Sequence, residues 1–269
     1  MKTNVILTML LAMVLGSCTI SVSGEAKEGI VPSKNYITQK VKVDNFDGIS
    51  TSTSIDVNYT QTAGNTDVEI YAPDNLMEYV KVENDGGMLK IYFDSGVHGK
   101  GINIRGQHKT KVNISAPAIH ALHTSSSGDI VLANGLKTDG LVIVESSSAG
   151  EIEGNGISCE DLVIEASSAG DIELKNVACS TLRVEASSAG DVSLSGVCRS
   201  AKLEASSAGE IDADDLKADA VVAEASSSGD VSCYAVESLE ASASSAGKVY
   251  YKGNPKQIRN HSKGVKKMD

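Results

Sequence analysis

From Ile37 onward the chain alternates apolar and polar residues in short bursts: "ITQKVKVDNFDGI", "SIDVNYTQT", "DVEIYAP", "YVKVEND", "MLKIYFD", "INIRGQ" and "KVNISAP". Each burst is rich in Val, Ile, Tyr and Thr, and Gly, Asn, Asp or Pro separates it from the next. Period-two alternation over four to eight residues, with turn formers between, predicts β-strands throughout. The stretch "NDGGML" from Asn84 supplies Gly-rich turn chemistry for a hairpin between "YVKVE" and "LKIYF".

After Pro117 the pattern becomes a repeat. Glycines at 128, 150, 170, 190, 209, 229 and 247 are spaced by 22, 20, 20, 19, 20 and 18 residues, and most sit inside a phrase such as "EASSAGDI". That period suits one rung of a solenoid. Leu162, Ile164 and Ala166 alternate with Val163, Glu165 and Ser167, and Ile172 and Leu174 alternate with Asp171 and Glu173. When the rungs are aligned on their glutamates, the preceding position is always apolar, the following one always small, and the second after the glycine always Ile or Val. Columns of constant character predict an all-β, single-stranded parallel β-solenoid of about 20 residues per rung. Residues 121–253 are expected to stack as about six rungs, with residues 37–120 continuing or capping the same core. The glycines are expected where each turn needs a positive φ.

The columns also organise the chemistry. Glu145, Glu165, Glu185, Glu204, Glu224 and Glu240 are expected in one outward row, each neighbouring pair costing about 0.8 kcal/mol in water. Two readings compete for that row: a solvated ladder that weakly gathers cations, or a Ca²⁺ site, for which single glutamates form an incomplete shell. Cys159, Cys179 and Cys198 fall in a further column and Cys233 in a core position. They read as small hydrophobic thiols, although rung spacing also permits one disulfide, and no histidine joins the column to make a metal site. The repeated serines lack a paired histidine column, so nucleophilic catalysis lacks its base. His120 and His123, the one close pair among five histidines, read as structural. No cofactor is expected.

Charge and the N-terminal segment narrow the setting. The chain carries a net charge of −11, and residues 128–252 hold 22 acidic against 8 basic side chains. Such a surface repels phosphate backbones and argues against nucleic acid as partner. Residues 1–17 have a basic start at Lys2 and an apolar run from Val5 to Leu15, as in a secretory signal. Their ending, Leu15-Gly16-Ser17-Cys18, resembles a bacterial lipobox, so Cys18 is the expected lipidation site and membrane anchor. Residues 18–36 read as a polar tether, residues 37–253 as one β-domain, and residues 254–269 as a basic tail.

Four pieces of the chain, "FDGISTSTSIDVNYTQ", "DGGMLKIYF", "KVNISAPAIHALHTSSSGDI" and "GKVYYKGNPKQI", resemble the putative auto-transporter adhesin, head GIN domain family. The resemblance spans most of the chain beyond the leader and implies a solenoid-like β-fold at the bacterial cell envelope, with adhesion as the role and no catalytic residues to carry over. Two functions from other classes stand beside it. A polysaccharide lyase or hydrolase would need clustered unlike residues and aromatic platforms, and the chain has no Trp. A periplasmic envelope-maintenance component would need no external ligand. The expected partners are the membrane, through Cys18, and a protein or glycan of unknown identity; the oligomeric state stays open.

Overall fold

The structure, a computed structural model, describes residues 29–94 and 102–268. The leader, Cys18 and most of the tether lie outside those residues. About seven turns of roughly 20 residues form a β-solenoid, and no α-helix occurs among the described residues. Every rung from Ala121 onward pairs in parallel with the next. The first wall holds Ala121–Thr124, Leu141–Ser147, Asp161–Ser167, then 181–187, 200–205, 220–225, 238–243 and Gln257–Asn260. The second wall begins with Asp129–Leu132 and Glu151–Asn155 and ends with Lys248–Lys252 and Val265–Lys267. A short third wall, such as Leu136–Lys137 on Ile157–Ser158, closes the section.

Alternation sends every second side chain inward. Ile130, Ile152, Ile172, Val192, Ile211, Val231 and Val249 form one buried ladder, and Val142, Leu162, Leu182, Ala201, Val221 and Leu239 another, none more than 2% exposed. Burying each large aliphatic side chain contributes roughly 1.5–3 kcal/mol, which makes these ladders the main support of the coil. The inward column after the first-wall glutamates begins polar, with Thr51, Thr124 and Ser146, and then turns to Ala166, Ala186 and Ala205. The buried hydroxyls are satisfied: Thr51 Oγ1 donates to Ile55 O at 2.9 Å, Thr124 Oγ1 to Ser146 Oγ at 2.9 Å, and Ser146 Oγ to Gly150 O at 2.6 Å.

The turns correct one expectation. In Ser167-Ser168-Ala169-Gly170 the positive φ values belong to Ser168 (52°) and Ala169 (61°), and Gly170 lies outside the left-handed region. A Cβ on Gly170 would stand 2.4 Å from the carbonyl oxygen of Ser146 one rung below, so the glycine answers a need for space between rungs. The left-handed residues are held by one bond along the stack, Ala169 N–H donating to Ser188 O at 3.2 Å, and by one across the turn, Gly170 N–H donating to Ser167 O at 2.9 Å.

The N-terminal segment both continues the coil and caps it. Its strands are β1 (Tyr36–Val41), β2 (Gly48–Thr51), β3 (Asp56–Gln61), β4 (Asp67–Pro73), β5 (Val80–Asp85), β6 (Met88–Phe93) and β7 (Lys111–Ala116). β2 and β3 make a rung beneath Ala121–Thr124 and Asp129–Leu132, and β6 and β7, later in sequence, make the rung beneath that. Antiparallel β5, β4 and β1 finish that end. The β5–β6 hairpin turns at Gly86 and Gly87, both at positive φ. Two assignments change. "INIRGQ" is irregular, with one bridge from Ile104 to Ile30 that draws the end of the tether onto the fold. Residues 257–260 and 265–267, read as tail, form the terminal rung, because Ile258 and Val265 extend the ladders of Leu239 and Val249.

Candidate functional site

The first wall carries the glutamates that the repeat advertises. Glu145, Glu165, Glu185, Glu204 and Glu224 stand in register and point outward. Glu240 is not in the row: Ser242 pairs with Glu224, and Glu240 pairs with Val222 one column over. Its rung is two residues shorter between glycines, so counting back from Gly247, rather than aligning on the glutamate, gives the true register. Nor is the row a bare line of like charges. His123 lies 2.6 Å from Glu145, Arg183 bonds Glu185 and lies 3.3 Å from Glu204, and Lys202 lies 2.9 Å from Glu204. His123 stands in the glutamate column itself, beneath Glu145, whereas Arg183 and Lys202 occupy the next outward column, two residues before the glutamates, and partly neutralise the wall.

The second wall is different. The residue after each turn glycine is Asp129, Glu151, Asp171, Asp191, Glu210 or Asp230, all in register, and Asp56 of β3 extends the column below Asp129. A lysine closes each end: Lys111 Nζ lies 3.6 Å from Asp56 and Lys248 Nζ 3.6 Å from Asp230. Between those clamps no cation is salt-bridged to the column among the described residues. Two positions further along the same face, Glu153, Glu173 and Asp212 add more charge. At rung spacing each neighbouring carboxylate pair costs about 0.9 kcal/mol in water, and more at the protein surface.

The side chains respond as carboxylates so crowded must. Glu151 is pushed up to about 7, first by a hydrogen bond shared with the Glu153 carboxyl, then by partial burial and the charges of Glu153, Asp129 and Asp171. Partial burial, reinforced by Asp191, raises Asp171, and partial burial with Asp56 raises Asp129. The depression lined by Asp171, Glu173, Asp191, Ser193, Glu210 and Asp212 is a shallow, open stripe along this wall. A flat row of acids on a rigid lattice can attract cationic groups and fix their spacing. The sequence held the signal, an acid directly after nearly every turn glycine, but it passes for ordinary strand-start polarity.

The remaining candidates are held by contacts within the fold. Cys159, Cys179 and Cys198 share an inward corner column that continues through Ala218 and Ala235, and all four described cysteines are free. Burial pushes the Cys159 thiol up to about 12, and a hydrogen bond with Cys198 followed by burial raises Cys179. His120 bonds Asp47 at 2.7 Å and the Thr138 hydroxyl at 2.8 Å, and the Asp47 carboxylate raises its pKa. No group of three or more His, Cys, Asp or Glu among the described residues has the arrangement of a metal centre. No described helix is long and apolar enough to cross a membrane.

Residues 45–255 match the family model described as "Putative auto-transporter adhesin, head GIN domain". No curated protein matches the chain. A solved structure from Bacteroides fragilis, described as a putative adhesin, is 30% identical; the match covers 89% of this chain and 100% of that one, with a TM-score of 0.68. A putative lipid binding protein from Parabacteroides distasonis is 25% identical over 90% of this chain and 100% of its own, with a TM-score of 0.79. A putative adhesin from Parabacteroides merdae shares the fold at 19% identity, 90% and 99% coverage and a TM-score of 0.77.

Proposed function

The chain belongs to the putative auto-transporter adhesin, head GIN domain family, and on that premise we propose that it is a non-catalytic binding module of the bacterial cell envelope. In this reading a lipid on Cys18 holds it to a membrane, and the coil presents its acidic second wall to a cationic partner, a protein surface or an amine-bearing glycan. The observation that carries the binding part is the uninterrupted column from Asp56 to Asp230, clamped by lysines only at its two ends. Seven carboxylates in register are costly to hold together, and a partner that supplies cations relieves that cost on binding. The adhesin descriptions of the relatives support the envelope part. Monotonous rungs also suit recognition by repetition better than the unlike, convergent groups that a polysaccharide enzyme brings together.

The test is fractionation of cells producing the intact chain or its Cys18→Ala variant, followed by protease treatment of whole cells. The expected result is recovery of the parent protein in the membrane pellet, release of the variant to the soluble fraction, and digestion of the parent from outside. Release of both proteins alike would overturn the anchor, and full protection of the parent would overturn display at the cell surface.

A further inference from the structure

The terminal rung breaks a pattern that the other rungs keep. The first-wall ladder from Val142 to Leu239 is at most 2% exposed, and its next member, Ile258, is 49% exposed. Gln257–Asn260 pairs on one side with 238–241, and Val265–Lys267 with 249–251. Among the described residues no strand pairs with the opposite edge of either. Among the described residues the coil therefore closes on a row of unpaired backbone donors and acceptors beside an uncovered isoleucine, the template on which an incoming strand adds.

Charge selects the occupant. From 241 to 268 the chain has seven Lys and Arg and no Asp or Glu, the reverse of the rungs before it. Lys256 and Arg259 reach back to Glu237 and Glu240, at 2.6 and 3.7 Å, and Lys267 donates to Asn254 Oδ1 at 2.6 Å. Lys263 and Lys266 have no acidic partner among the described residues. A second copy meets this edge with the same cations, or at its other end with the edges left free among the described residues, that of β1, whose Lys40 is already paired with Asp67, and that of β5, which carries Lys81, Glu83 and Asp85. Like charges oppose the first pairing, and in the second Glu83 and Asp85 are already engaged by Tyr92 and Lys90. We propose that the terminal rung is a docking edge for an extended acidic segment of a partner protein. The segment adds as one more strand, covers Ile258 with an apolar side chain and sets carboxylates against Lys263 and Lys266. This surface is separate from the acidic wall, and the proposal holds wherever the protein resides.

The experiment titrates the full chain with a synthetic decapeptide of alternating Val and Glu while following amide hydrogen exchange. Two control peptides accompany it: one with Lys in place of Glu, and one with the same charge interrupted by two prolines, which cannot complete a ladder. The expected result is saturable binding of the Val–Glu peptide, slowed exchange confined to 257–260 and 265–267, and at least tenfold weaker binding to Lys263→Glu/Lys266→Glu with an unchanged melting temperature. Equal binding of the Val–Lys peptide would remove the charge argument. Equal binding of the proline peptide, or binding without protection of the terminal strands, would leave an ionic contact and overturn strand addition. Sedimentation showing that the chain alone pairs through this edge would replace the acidic partner with a second copy.

Discussion

Ser188 and Ala189 sit at φ 51° and 60°, where side-chain-bearing residues pay a steric cost, while the glycine after them sits in an ordinary region with no room for a Cβ. Swapping their chemistries separates the two constraints. Gly190→Ala places a methyl group 2.4 Å from backbone atoms of Ala166 and should lower stability by about 1–3 kcal/mol in denaturant titrations. Ala189→Gly relieves the left-handed strain but loosens the unfolded chain, so it should fall between no change and a gain of about 1 kcal/mol. A costlier Ala189→Gly than Gly190→Ala would reverse the assignment. The repeat phrase shows that a tight turn lies here, but which of its residues takes the unusual φ depends on how closely successive rungs approach, and one rung's sequence does not contain that distance.

Glu151 gives the same scale a pH signature. Its folded pKa of about 7 lies above the ordinary value of 4.5, and those of Asp129 and Asp171 are also raised. Groups raised by folding favour the folded state when protonated, so their stabilising contribution is full below the unfolded pKa and lost as pH rises through the folded one. The melting temperature should therefore rise as pH falls from about 8 toward 5, and Glu151→Gln should flatten much of that rise. Below about pH 4 the sign turns for Asp74 and Asp85, whose pKa values are lowered by hydrogen bonds to Asn35 and Lys90 respectively. A melting temperature that fell steadily from pH 8 to 5 would contradict the crowding of the second wall.

At the scale of the strand, two outward columns with similar composition behave differently because their neighbours differ. The first-wall glutamates have Arg183 and Lys202 beside them; the middle of the second-wall column has more carboxylates. Glu185→Gln exchanges a solvent-exposed ion pair for a neutral contact and should change stability by less than about 0.5 kcal/mol. Asp171→Asn, flanked by Glu151 and Asp191, should stabilise at pH 7.5 and low salt, and added NaCl should raise the parent's melting temperature more than the variant's. Thermal melts at two salt concentrations check both, and equal responses would mean the columns are equivalent. The first row was legible because every rung phrase begins with glutamate. Its neutralising cations were less so, since residues two positions apart on adjacent rungs meet only once the register is known. Glu240 was misplaced for a related reason: its rung drops three residues at one corner and regains one at the next.

At the scale of the molecule, the coil was legible because each of its rungs keeps the same column characters, and a stack demands nothing more. The N-terminal end was not, because β6 and β7 lie outside β2 and β3 against chain order, a placement that leaves no local mark in alternating strands. The terminal rung was hidden by its lysines, which look like a solvated tail until Ile258 and Val265 are seen to continue two ladders. The finished molecule is a rod whose long acidic wall runs between the lysines paired with Asp56 and Asp230 and gives way to a basic terminal rung. On the proposed reading, that arrangement directs cationic partners to one flank.

Binding of a fluorescent decalysine to two charge-matched triple variants tests this most directly. Asp171→Asn/Asp191→Asn/Glu210→Gln and Glu165→Gln/Glu185→Gln/Glu204→Gln each remove three negative charges, so any difference reports position rather than net charge. The expected result is a loss of about tenfold or more for the second-wall variant, near 1.4 kcal/mol, and less than about twofold for the first-wall variant. Equal losses in the two variants would contradict a functional face on the second wall.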